Sequence, residues 1–309
     1  MTTRRFLRFV GLALSLAAVL WIIARFARSD AADLIREAPI GHAALMGALG
    51  LGAMAYAAAM LLPGLAWWRL IVAFAATPPP ARSTVATYAV SQYGKYLPGN
   101  VAHYALRHGL SRRYDVPHAA LGLASVLEAA LLLLSALGLI LLADSRRLAL
   151  LSWLDPRAAI AALALLLAAL GIALHLARKR ASLARFGLPA LPPTIVLVTS
   201  VALYVTFLVA CAAIIDGIAH VLGIAAGSFG LVLGATAASW LAGFVVIGAP
   251  GGLGVREAAF VALAGSTLGA DRALVVISLF RVVTFLGDTL FFAAGALAMR
   301  RAARSARAH

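Results

Sequence analysis

Two short stretches of the chain combine helix-breaking residues with charge. The first reads Ser91-Gln92-Tyr93-Gly94-Lys95-Tyr96-Leu97-Pro98-Gly99-Asn100-Val101-Ala102-His103. Pro98 and Gly99 break any helix here, and Asn100 is a good N-cap for the one that follows. A helix N-terminus held in apolar surroundings presents free N–H groups and a partial positive charge, which with Lys95 makes an anion site. Gln92, Lys95 and Tyr96 share one helical face. The plainer alternative is a surface loop with Lys95 snorkelling out of an apolar layer.

The second stretch reads Pro250-Gly251-Gly252-Leu253-Gly254-Val255-Arg256-Glu257. Pro250 breaks the preceding helix, Gly251, Gly252 and Gly254 let backbone approach a ligand closely, and a new helix again starts with its N–H groups toward the break. The spacing is neither that of a Walker loop nor that of a dinucleotide fingerprint, so nucleotide binding is not expected. Arg256 offers a planar fork to a phosphate, or pairs with Glu257 or another acid.

Glu128 and Arg281 fall near the middle of apolar runs, where charge is costly and usually faces a cavity or a partner. Arg281, Thr284 and Asp288 share a helical face, with the two charges roughly 10 Å apart along the axis. Either Glu128, Glu257, Arg281 and Asp288 balance the cations of a polar site and take part in coupling, or a Glu128–Arg281 or Arg281–Asp288 pair only locks the helices together. The histidines show no metal-ligand spacing and Cys211 is the single cysteine, so no metal, disulfide or cofactor is expected. HExxH, GxSxG and Asp-rich magnesium motifs are absent from the sequence, which leaves a lipid-modifying enzyme as a trailing alternative to a non-enzymatic role.

The elements that must hold these residues are apolar helices. Of 309 residues 63% are hydrophobic and 12% charged, with a mean hydropathy of +0.99, whereas a soluble domain carries roughly a quarter charged residues. This is an integral membrane protein. The net charge of +15 sits in short arginine clusters between apolar runs, the pattern of a protein orienting itself in a membrane and not of one that binds nucleic acid. Runs long enough to span occur at about 7–26, 40–62, 118–143, 158–177, 194–215 and 273–299. The first reads as an uncleaved anchor.

Segments 83–113 and 229–268 are each interrupted and read as two short helices around a turn. If both double back as re-entrant hairpins, sixteen of the 26 basic residues, Arg107, Arg112 and Arg113 among them, fall on the cytoplasmic side with both termini, and seven fall opposite. The expected fold is therefore an all-α polytopic membrane protein: one transmembrane domain over 1–309, about six full spans plus two re-entrant helical hairpins, and no soluble domain. Span, hairpin and span then recur upside down, which suggests inverted halves at about 40–143 and 194–299, the arrangement by which many transporters build a midplane site.

The segment Gly94 to Val101, Glu128 in the following span, the segment Pro250 to Glu257, and Arg281 together resemble the flippase-like membrane domain of lysylphosphatidylglycerol synthases and its stand-alone relatives. The resemblance covers nearly the whole chain. It implies a protein of the bacterial inner membrane that moves an anionic phospholipid or polyprenyl-phosphate-linked lipid between leaflets. In the full-length synthases a soluble aminoacyl transferase domain follows; here the sequence ends soon after the last span, so that activity is not expected. The alternative is a non-transporting partner that presents lipid to a separate glycosyltransferase or aminoacyl transferase.

Overall fold

The structure is a computed structural model that describes residues 36, 39, 41–75, 77–96, 102–114, 116–143, 191–225, 227–246 and 249–305. The expected spans 7–26 and 158–177, and the break residues Pro98, Gly99 and Asn100, lie outside the described residues.

The described chain is helical: α1 (Gly41–Ala59), α2 (Leu61–Val72), α3 (Ala81–Gln92), α4 (Ala102–Ser111), α5 (His118–Leu142), α6 (Thr194–Val221), α7 (Phe229–Val245), α8 (Val255–Leu268) and α9 (Ala270–Ser305). Four helical stretches, Gly41–Val72, His118–Leu142, Thr194–Val221 and Ala270–Ala302, are long and apolar enough to cross a membrane. They coincide with the four expected spans that fall on described residues.

Local chemistry sets the boundaries. Helices α3, α5 and α6 each follow a proline, Pro80, Pro117 or Pro193, held in extended backbone, whose carbonyl accepts from the first turn. Ser228 caps α7 by accepting the Leu231 N–H at 3.3 Å. Beyond α6, Gly223 (φ +69°) lets the Ile224 N–H reach back to the Ala219 carbonyl at 2.9 Å and stop the helix. The break between α1 and α2 follows from Pro63, which has no N–H to offer the preceding turn.

Both interrupted segments double back. At the base of the first, the Ser83 hydroxyl at the start of α3 lies 2.9 Å from the Tyr114 hydroxyl just beyond α4. At the base of the second, a Cβ on Gly227, just before α7, would lie 3.3 Å from Thr267 at the end of α8.

Helix α9 packs on α1, α3 and α8, while α6 packs on α2, α5 and α7. Small residues permit the closest approaches: a Cβ on Gly287 of α9 would stand 2.7 Å from the Ala53 carbonyl of α1, and one on Gly295 would stand 2.6 Å from Ala89 of α3. Polarity is arranged outward-apolar. Leu51, Val126 and Ile195 are 65, 64 and 63% exposed, whereas Arg107, Glu128, Glu257 and Asp288 are 0, 3, 3 and 4% exposed. A surface of that kind suits a lipid solvent, with the charges collected where the helices face one another.

Candidate functional site

Among the described residues three ion pairs join charges of different elements, and Arg256 stands outside them. Arg107 of α4 donates to Glu128 of α5 through Nη1, to the Ser91 hydroxyl at 3.2 Å through Nε, and to Gln92 Oε1 at 2.9 Å through Nη2. Its guanidinium lies 3.9 Å from the ring centre of Tyr88 and 4.8 Å from Trp67, so every side of this fully buried cation is occupied. Arg281 of α9 donates to Glu257 of α8 through Nε and to the Gly251 carbonyl at 2.9 Å through Nη2, which fastens the glycine turn to the last span. Lys95, in the tightened turn Tyr93–Tyr96 that ends α3, stands 2.6 Å from Asp288 Oδ2, and the Tyr96 hydroxyl donates to the same oxygen at 2.6 Å.

Arg256 has no carboxylate partner among the described residues, and its Nε is buried without a hydrogen bond. Its guanidinium sits 5.3 Å from the centre of the Trp240 ring. The side chain runs between two glycines. A Cβ on Gly243 of α7 would collide with it, and one on Gly252 would come within 2.7 Å of its Nε. Gly252 also holds φ at +72°, a conformation that other residues adopt only with strain. Arg256 and Lys95 line one central cavity of about 50 Å³, together with Tyr56, Gln92, His103 and Glu128.

Some expected pairings do not form. Glu128–Arg281 and Arg281–Asp288 are both absent: Arg281 turns toward α8, packed beside it, Glu128 faces α4, and Asp288 is taken by Lys95 and Tyr96. Arg107 is not a surface charge of the loop before α5; it is the most enclosed charge described. Gly251, Gly252 and Gly254 all take positive φ, but the room beside Gly251 is filled by the Tyr96 ring and that beside Gly252 by Arg256. In this conformation the turn seats protein side chains, and Gly254 stands at the N-cap of α8 with Glu257 in the first turn.

The sequence model for the lysylphosphatidylglycerol synthase transmembrane region matches residues 8–291. The chain belongs to that family. A search of curated proteins returned no match. The lysylphosphatidylglycerol synthase transmembrane region is a membrane domain associated with lipid handling, and the charged centre described above lies wholly inside the matched residues.

Sequence reasoning missed Arg107, Trp240 and Gly243. A signal for Arg107 does exist in the sequence. His103, Arg107 and Ser111 recur every four residues and all face inward, while Leu106, on the other side of α4, is 45% exposed. That is an amphipathic helix with its polar stripe turned into the protein, as a lipid solvent demands.

Proposed function

We propose that this member of the lysylphosphatidylglycerol synthase transmembrane family moves an anionic lipid between the leaflets of a bacterial inner membrane, with both termini cytoplasmic and α3–α4 and α7–α8 as re-entrant hairpins. The observation that carries the reading is Arg256: a half-buried arginine with a buried, unbonded Nε and no carboxylate partner among the described residues, on the cavity that Lys95 also lines. A phosphate group supplies the missing charge. Two of its oxygens take the Arg256 fork and a third displaces Asp288 from Lys95, while Asp288 keeps the Tyr96 hydroxyl.

The packing supports a two-fold scheme for this movement. Helix α5 lies on α4 and α7 as α9 lies on α8 and α3. Each half carries one guanidinium–carboxylate pair between its second hairpin helix and the following span, with the signs exchanged: Arg107 with Glu128, and Glu257 with Arg281. Glu128 is the eleventh residue of α5 and Arg281 the twelfth of α9. Two inverted halves of this kind rock about a central site. The cavity of about 50 Å³ has room for a few waters only, so it corresponds to the closed stage between the two open ones.

The test is reconstitution of the purified full chain in liposomes with a fluorescent phosphatidylglycerol and a membrane-impermeant quencher. Faster loss of inner-leaflet signal than in empty liposomes, abolished by Arg256→Ala, is the expected result. Wild-type protein that leaves the rate at the empty-liposome value would overturn the reading and favour presentation of lipid to a separate transferase.

A further inference from the structure

A small cavity of about 20 Å³ has walls from α6, α7, α8 and α9. Its lining includes Thr236 and Ser239 of α7, Arg256 of α8, Arg281 and Thr284 of α9, and the Cys211 thiol of α6. Two guanidinium side chains therefore border it, and no carboxylate does.

Two of these groups are buried without a hydrogen bond, the Thr236 hydroxyl and Arg256 Nε. For Thr236 this departs from the habit of the rest of the chain. Ser125, Ser135, Ser200 and Thr206 each donate to the carbonyl four residues back, at 3.0, 2.7, 2.8 and 2.8 Å. Thr236 is 4% exposed and leaves that bond unmade, so its proton is uncommitted. Ser239 follows three residues on, on the same helical face and equally buried. Thr284 differs, because its hydroxyl already donates to the Arg281 carbonyl at 3.0 Å. Arg281 is answered by Glu257, whereas Arg256 has no carboxylate among the described residues.

We infer that this cavity binds a single monoatomic anion, chloride, held by Arg256 and by the hydroxyls of Thr236 and Ser239. Size and charge choose the occupant. A volume of about 20 Å³ admits one water-sized body, which excludes phosphate and sulfate. Sodium would suit a group of hydroxyls, but here it would meet two guanidinium groups and no acid. Water satisfies the Thr236 hydroxyl and leaves Arg256 uncompensated in apolar surroundings. Chloride accepts from both hydroxyls and balances the arginine. The site belongs to the closed conformation, in which the central cavity has no room for a lipid phosphate, and it stands whether or not the protein moves lipid.

The test is equilibrium binding of radiolabelled chloride to the purified full chain in detergent, with gluconate as the balancing anion. One saturable chloride per chain, displaced by bromide and not by sulfate, is the expected result. A hydrogen bond to a charged group is worth about ten-fold in affinity. Thr236→Val, which removes the hydroxyl and nearly keeps the shape, should therefore weaken chloride binding about ten-fold, and Arg256→Gln should abolish it. Ser239→Ala should also weaken it about ten-fold, which keeps the test open should the Thr236 variant fail to fold. Wild-type protein without saturable chloride overturns the site and leaves water as its occupant. Chloride binding that the folded variants leave unchanged, or that sulfate displaces as well as bromide does, also overturns it, because the ion then sits elsewhere. None of these readouts involves lipid movement, so their failure leaves the proposed function standing.

Discussion

Glu128→Ala should be among the most destabilising single changes in the chain, and the reason is the cation it leaves behind. Arg107 is fully buried, and among the described residues its Nη1 has Glu128 as its sole carboxylate. Losing one member of such a pair costs about 3 to 5 kcal/mol, and the complete enclosure of Arg107 puts Glu128→Ala near the upper end. Glu257→Ala strands Arg281 in the same way, but Arg281 keeps the Gly251 carbonyl and its side chain is 15% exposed, which puts the cost near the lower end. The assay is reversible unfolding in mixed micelles titrated with a denaturing detergent, run as double-mutant cycles. Arg107 with Glu128, and Arg281 with Glu257, should each show coupling of at least about 1 kcal/mol. The crossed cycle of Glu128 with Arg281 should be additive to within about 0.5 kcal/mol, as for residues without a shared partner. Single costs below about 1 kcal/mol, or crossed coupling larger than the direct couplings, would refute the pairing and the argument built on it.

Transport of an anionic lipid in liposomes should fall in the order wild type, Arg256→Lys, Arg256→Ala, because lysine keeps the charge and loses the fork; equal rates across the series would make Arg256 a packing residue. Gly243→Ala should lower transport at least about ten-fold while costing roughly 1 to 3 kcal/mol of stability, since the new methyl pushes the Arg256 side chain aside. Normal transport by Gly243→Ala would show that the position of Arg256 does not matter. In a Cys211→Ser background, cysteines at Arg112 and at Arg304 should both resist an impermeant thiol reagent added to intact cells, and labelling of either would exclude a cytoplasmic face for the base of the first hairpin.

Much of this architecture is legible in the sequence because a lipid solvent leaves so little freedom. Runs of about twenty apolar residues mark spans, and Pro250 with its glycines marks an interruption, whatever the neighbours do. Lys95, Glu128, Arg256, Glu257, Arg281 and Asp288 are conspicuous for the same reason: each is a charge in a segment with few others. Which of them pair is not legible, because pairing depends on which helices touch. Helical periodicity places Arg281 and Asp288 on one face of α9, yet their partners come from α8 and from the turn after α3. Arg107 escaped because it stands close to Arg112 and Arg113 in sequence and reads as part of an exposed cluster; the inward turn of α4 separates it from them. Gly243 escaped because an isolated glycine in an apolar helix gives no hint that another residue's side chain occupies the missing Cβ.

The passage of Arg256 between Gly243 and Gly252 ties three positions into one unit of inheritance. A side chain at 243 or 252 and a long guanidinium at 256 compete for the same volume, so a lineage can enlarge either glycine only after shortening residue 256. Retreat is blocked in the other direction as well: a shorter residue at 256 leaves a gap beside Trp240 that a larger residue at 243 then fills, and the arginine cannot return without reversing that change. Drift at these positions should therefore be stepwise and hard to reverse, and relatives that lack the arginine are where a larger residue at 243 should be found.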